Sequence, residues 1–177
     1  EARVLAYALN KLNTLPKPLV GRVQGNAFGG GIGLMSVCDV AIGARGARFG
    51  LTEVKLGLIP ATISPYVLAR MGEDKARRVF MSARLFDADE TVSLNLLARV
   101  VEADELDAAV EAEVAPYLQA APRAVAAAKA LARSLGPTIS TEVIEDTIDR
   151  LLACWEGDEA AEGIAAFFDK RKPDWVV

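Results

Sequence analysis

The sequence predicts an α/β fold, and three observations carry that expectation. Short apolar runs bounded by turn residues, at Leu19 to Val23, Asp39 to Ile42, Ala47 to Leu51 and Ala98 to Val101, read as strands. Helical stretches alternate with them, beginning with Ala2 to Leu12. From Glu105 onward Ala, Leu, Glu and Lys dominate, so the last part of the chain reads as helix alone. At 177 residues the chain suffices for one domain with a sizeable core, or for one domain plus a helical appendage.

Each element follows from local signals. Pro16 and Pro18 end the first helix, and Leu19 to Val23 then reads as a buried strand. A glycine-rich turn, Gln24-Gly25-Asn26-Ala27-Phe28-Gly29-Gly30-Gly31-Ile32-Gly33-Leu34, leads into a helix over about Ile32 to Cys38. The next two strands are separated by a Gly43-Ala44-Arg45-Gly46 turn, which leaves Glu53 at a strand end or in a loop. Pro60 interrupts the apolar run Leu56 to Ile59, and Ser64 and Pro65 supply a cap and first position for a helix to about Met71. Asp74 to Ser82 is a further helix. Asp87, Asp89 and Glu90 suit a helix start that Thr91 to Leu97 continues. Breaks at Pro122 and Gly136-Pro137 divide the remainder into helices over Glu105 to Ala120, Ala124 to Leu135, Thr141 to Cys154 and Asp158 to Lys170. Their alanine-rich faces suit close packing or an oligomer interface.

Composition excludes several classes of function. A net charge of -4 and a pI near 5.0 give no basic footprint for nucleic acid. No apolar run approaches the roughly eighteen residues of a membrane span, and no signal-peptide pattern opens the chain, so a soluble cytoplasmic protein with no membrane partner is expected. Cys38 and Cys154 sit in apolar helical contexts and read as reduced thiols. There is no histidine, which removes the usual general base of Ser and Cys hydrolases and the commonest metal ligand. Proton transfer near neutral pH must then fall to carboxylates, Tyr, Lys or Cys, and no metal site is expected. The chain opens on Glu1, at the edge of a helix, which implies a missing N-terminal part.

The glycine cluster lacks the Gly-Lys-Ser/Thr of a phosphate-binding P-loop and the third glycine of a dinucleotide fingerprint. Two readings remain. Its N–H groups polarise a carbonyl oxygen, as in an oxyanion hole, or its glycines only let strand and helix pack closely.

Four linked segments then make the chain resemble the enoyl-CoA hydratase/isomerase, or crotonase, family. They are Gly25 to Leu34, Cys38-Asp39-Val40-Ala41-Ile42, Ala47-Arg48-Phe49-Gly50-Leu51-Thr52-Glu53 and Leu56-Gly57-Leu58-Ile59-Pro60. A C-terminal stretch from Glu162-Gly163 to Lys170-Arg171-Lys172 is similar to the family's last helix. The resemblance implies a crotonase-like β-β-α superhelix without its N-terminal part, residues 1–104 being the C-terminal portion of the core and 105–177 a helical trimerisation region. It implies acyl-CoA thioesters as substrates, with coenzyme A belonging to the substrate rather than acting as a cofactor, and a homotrimer or dimer of trimers.

The same resemblance makes Gly30 an oxyanion-hole amide, the second amide coming from an earlier loop, and Glu53 one of two catalytic glutamates. Gly29, Gly31, Gly33 and Ala61 would line the substrate, and Phe167 and Lys170 would touch its coenzyme A part across a subunit contact. The family's second glutamate falls at Gly33, a departure from the two-carboxylate pattern. Gly29 to Leu34 together with Ile59-Pro60-Ala61-Thr62-Ile63-Ser64-Pro65-Tyr66-Val67 resembles the branch of methylglutaconyl-CoA and isohexenylglutaconyl-CoA hydratases. Hydration of a branched, carboxylated enoyl-CoA is therefore the leading expectation. An enoyl-CoA isomerase using one glutamate and a non-catalytic subunit of the same fold are the alternatives. Asp39 and the Asp87, Asp89, Glu90 group read as turn and cap residues rather than catalytic ones.

Overall fold

Residues 1–177 are described by a computed structural model. Helix α1 (Ala2–Asn13) leads into a repeating unit that gives one strand to each of two sheets and then a helix. The first unit is β1 (Val20–Val23), β2 (Ala27–Phe28) and α2 (Gly30–Val37). The second is β3 (Val40–Ala44), β4 (Arg48–Gly50), a 3-10 turn over Glu53–Leu56 and α3 (Ser64–Phe80). Then come β5 (Leu85–Asp87), α4 (Ala88–Ser93) and β6 (Arg99–Val101). One sheet has the order β1-β3-β6, all parallel; the other has β2-β4-β5, with β4 parallel to β2 and antiparallel to β5.

This arrangement corrects several local expectations. The strands around residue 45 do not pair with each other but enter different sheets, and Gly43 and Ala44 belong to β3, so the turn is tighter and centres on Arg45 and Gly46. Glu53 takes the second of its two expected places, in the loop after β4, where it opens a 3-10 turn. The cap of α3 is Ile63, and Ser64 is already its first residue, with its hydroxyl donating to the Pro60 carbonyl. The two helices expected over Ser64 to Met71 and Asp74 to Ser82 join at Gly72, whose φ of 75° breaks the helical path. Strands β2 and β5 are too short to leave a sequence pattern; only their neighbours in the second sheet define them. Asp87 caps α4 as expected, accepting from the Glu90 N–H, but the helix stops at Ser93, before Asn95 turns left-handed at φ 64°.

The main core lies between α1, α2, α3 and the sheets, with Leu9, Ile32, Phe49, Leu51, Val67 and Phe86 among its buried residues. Phe49 and Phe86 face each other across β4 and β5 with ring centroids 6.3 Å apart, a contact that adds roughly 0.5–1.5 kcal/mol to area burial and fixes the strand carrying Gly50. Asp39 orders its turn as expected: its carboxylate accepts from the Leu19 N–H and from Lys129 Nζ, both at 2.7 Å.

Four helices close the chain: α5 (Leu106–Leu118), α6 (Pro122–Ser134), α7 (Thr141–Trp155) and α8 (Asp158–Phe168). Leu106 of α5 packs with Ile42 and Ala44 of β3, and Ile144 and Ile148 of α7 pack with Ala6 of α1. No helix is long and apolar enough to cross a membrane.

Helix α8 meets the turn that follows Glu53 backbone to backbone. A Cβ on Gly163 would stand 2.6 Å from the Leu56 carbonyl carbon, and one on Gly57 would stand 2.3 Å from that of Glu159. Gly57 also has φ 70°, a conformation that costs an L side chain about 1–2 kcal/mol. Replacing Gly163 by Ala is therefore expected to lower stability by about 1–3 kcal/mol, since backbone cannot yield as a side chain does. Ala161→Ser at an exposed site of the same helix should stay within about 0.5 kcal/mol of the parent. Urea unfolding midpoints of the two variants check this.

Candidate active site

The expected oxyanion-hole segment sits where β2 enters α2. Gly29 is the cap, at φ 47°, and its N–H donates to the Gly50 carbonyl of β4 at 3.1 Å, so the helix start is tied to the second sheet. The N–H groups of Gly30 and Gly31 donate to no protein acceptor. They belong to the first turn of a helix, whose N–H groups lack intrahelical partners and carry the positive end of the helix dipole. The strand-turn-helix order thus produces an unoccupied donor pair, and Leu5 of α1 flanks it, its Cδ2 lying 3.8 Å from where a Gly30 Cβ would be.

Glu53 reaches the same place from the opposite side. Its Oε1 would lie 2.8 Å from a Cβ on Gly29, so only glycine lets the carboxylate rest on the helix start. Its Oε2 is buried and has no hydrogen-bond partner. Burial pushes the Glu53 carboxyl above the ordinary glutamate range, and a hydrogen bond involving its own backbone N–H pulls it part of the way back. The turn is stiff: the Lys55 N–H donates to the Thr52 carbonyl at 3.0 Å and the Leu58 N–H to the Glu53 carbonyl at 3.1 Å. A carboxylate with one buried, unpartnered oxygen, at a helix start with free N–H donors, can take and return a proton while the donors hold a developing oxyanion.

The other expected residues divide into two groups. Gly31 lies against Ala27, its Cβ position 3.3 Å from that side chain. Gly33 is buried in the first turn of α2 against Ile63 and Leu9, and Ala61 is buried in the connection after Glu53, where its N–H donates to the Ile59 carbonyl. Phe167 and Lys170 stand apart from these, at the far end of α8 beyond Gly163. Phe167 is exposed and lies edge-on to Phe168. Lys170 takes a left-handed φ of 54°, and the next residue, Arg171, forks onto both carboxylate oxygens of Glu162, which holds that carboxyl down at about 2. The turn presenting Phe167 and Lys170 is therefore fixed within the chain itself.

Sequence reasoning missed the apolar rim. Phe28 of β2 and Leu85 of β5 close over Gly50, their side chains 3.5 and 2.8 Å from its Cβ position, and both are partly exposed. Ile63, which fills the space beside Gly33, was also missed as a site residue. The Gly50 between two apolar strands was the only available signal, and it needs the register of the second sheet to be read.

The model of the family described as Enoyl-CoA hydratase/isomerase matches residues 4–176. The chain belongs to that family. It is 34% identical over 172 residues to the probable enoyl-CoA hydratase echA8 of Mycobacterium leprae, an alignment covering 96% of this chain and 66% of that protein. It is 31% identical over 166 residues to the crotonyl-CoA hydratase of Syntrophomonas wolfei, covering 93% of this chain and 64% of the relative. The crystal structure of an enoyl-CoA hydratase from Mycobacterium avium superposes with a TM-score of 0.87 at 29% identity, over 99% of this chain and 69% of that one. The alternating delivery of strands to two sheets is thus the crotonase fold. The chain spans about two thirds of the length of the curated relatives it matches.

The raised carboxyl of Glu53 has a consequence for stability. A folded-state pKa above the unfolded one means that folding takes up a proton, so the charged group weakens the native state as pH rises from the ordinary glutamate value of 4.5 through the folded value. Glu53→Gln removes that charge. The variant is expected to melt at a higher temperature than the parent at pH 7–8, with the gain vanishing near pH 4; melting curves across that range check it.

Proposed function

We propose that this chain carries the catalytic part of an enoyl-CoA hydratase, adding water across the double bond of a 2-enoyl thioester. The observation that carries the reading is the buried, unpartnered Glu53 carboxylate beside the free Gly30 N–H. Gly30, with a second amide that the family resemblance assigns to an earlier loop, holds the thioester oxygen as it gains charge, while Glu53 handles water and proton. The family match and relatives called enoyl-CoA hydratase support the same chemistry.

The acyl group is proposed to be branched and carboxylated, of the methylglutaconyl or isohexenylglutaconyl kind, on the resemblance of Gly29 to Leu34 and Ile59 to Val67. The partly exposed Leu5, Phe28 and Leu85 around the site suit its apolar part. Residues 105–177 are assigned to assembly, as a homotrimer or dimer of trimers. Exposed Leu152, Trp155, Phe167, Phe168 and Trp175 supply apolar surface there, and Phe167 and Lys170 would reach coenzyme A on a neighbouring subunit.

A second reading is favoured by Gly33. With no second carboxylate at that position, Glu53 alone could move one proton between Cα and Cγ, which is isomerisation without water. A non-catalytic subunit is the weaker alternative, because burying an unpaired carboxylate costs stability that a binding scaffold has no reason to lose.

In the full-length protein, Glu53→Gln is expected to lower kcat for hydration of 2-enoyl-CoA by at least about 100-fold, the usual scale for a lost general base, with thioester binding retained. Undiminished hydration would overturn the assignment. Supplying 3-enoyl and 2-enoyl thioesters separately decides the reaction: a hydratase forms 3-hydroxyacyl-CoA from the 2-enoyl substrate, whereas an isomerase interconverts the two without adding water.

A further inference from the structure

Gly29 and Gly33 both belong to the start of α2, Gly29 as its N-cap at φ 47° and Gly33 inside the first turn of the helix. What each leaves room for is different. The Gly29 position is covered by Glu53 Oε1, while a Cβ on Gly33 would lie 2.4 Å from Ile63 Cγ2, 2.9 Å from Ile63 Cβ and 3.6 Å from Leu9 Cδ1. Glu53 and Ile63 are both delivered by the connection between β4 and α3, one to each of these two glycines. Ile63 is 3% exposed and Leu9 is fully buried, so the space beside Gly33 is closed and aliphatic.

We propose that Ile63 is a positioning residue paired with Gly33: its branched side chain takes the volume that a carboxylate on α2 would need, and so commits both proton transfers to Glu53. The proposal rests on the hydration reading given above. In that reaction the Glu53 carboxylate takes a proton from water as the water oxygen bonds to Cβ. The π electrons pass to the thioester oxygen at the Gly30 N–H. The same carboxyl then gives its proton to Cα as the enolate collapses, so one C–O and one C–H bond replace the π bond, one O–H bond of water is broken, and Glu53 returns to its starting form.

The other charged side chains around this turn do not engage Glu53. Helix α2 carries none. Lys55 on the turn itself and Arg48 on β4 are exposed, α8 brings Asp158, Glu159 and Glu162, and Glu162 is engaged by Arg171. None of them bears on the Glu53 carboxyl, whose perturbation comes from burial and its own backbone.

A double-mutant cycle in the full-length protein tests the pairing. Gly33→Glu alone should lower the melting temperature because the new side chain meets Ile63, and Ile63→Gly alone should lower it by opening a cavity. Gly33→Glu with Ile63→Gly should be more stable than the sum of the two losses allows. It should also acquire a descending alkaline limb in the pH profile of kcat that the parent lacks between pH 5 and 9, because two adjacent carboxyls then share the proton. Additive losses, or recovered stability with the parent's profile, would overturn the proposal. Should Gly33→Glu not fold, Ile63→Glu brings a carboxylate to the same space from the other side and should move the acid limb to higher pH by like-charge repulsion. An unmoved limb counts against Ile63 facing the reacting groups. These results are separable from the reaction itself, which fails only if Glu53→Gln still hydrates.

Discussion

The approach of two backbones, the turn at Leu56 and Gly57 against α8 at Glu159 and Gly163, sets where Glu53 stands. Separations that would put a Cβ within 2.3–2.6 Å of a carbonyl carbon leave no room for side chains on the two glycines. That geometry presses a short 3-10 turn against a helix and delivers its first residue to the start of α2. The same economy recurs at Gly29, where the absence of a side chain lets the carboxylate touch the helix start. Assembly of the C-terminal helices and placement of the Glu53 carboxylate are consequently one problem. A perturbation of α8 should be felt at the site even though α8 contributes no side chain to the reacting atoms.

Two opposing electrostatic effects meet at the site. Burial, with Oε2 left unpartnered, destabilises the ionised Glu53 carboxylate and makes it a better proton acceptor than a surface glutamate. The unbonded N–H groups of Gly30 and Gly31 favour negative charge close by. Desolvation is the larger effect on Glu53, outweighing the hydrogen bond with its own backbone.

Much of this was legible in the residues. The glycine run between strand and helix left open an oxyanion-type turn or simple close packing, the family resemblance singled out Glu53, and the order of four linked segments pointed to the crotonase fold. The ends of most helices fell within two or three residues of their expected positions, because Pro65, Asp87, Pro122 and Ser140 mark helix starts by backbone chemistry that does not depend on tertiary contacts. What was not legible depends on pairing across the chain. Strands β2 and β5 are two and three residues long and exist only because β4 lies between them. The separation of β3 and β4 into different sheets reverses the simplest reading of two strands joined by a turn. Gly33 could be seen as a missing carboxylate, but nothing in its neighbourhood along the chain shows that Ile63, thirty residues later, fills the space.

The central claim is that one carboxylate, held on the start of α2 with a buried and unpartnered oxygen, performs the proposed proton transfers. The most direct measurement is an NMR titration of the 13C-labelled Glu53 carboxyl in the full-length protein, assigned by its disappearance in the Glu53→Gln variant. A midpoint clearly above the ordinary glutamate value of 4.5 is the result expected. A midpoint at or below it would mean that Glu53 is solvated or ion-paired, and would contradict the account.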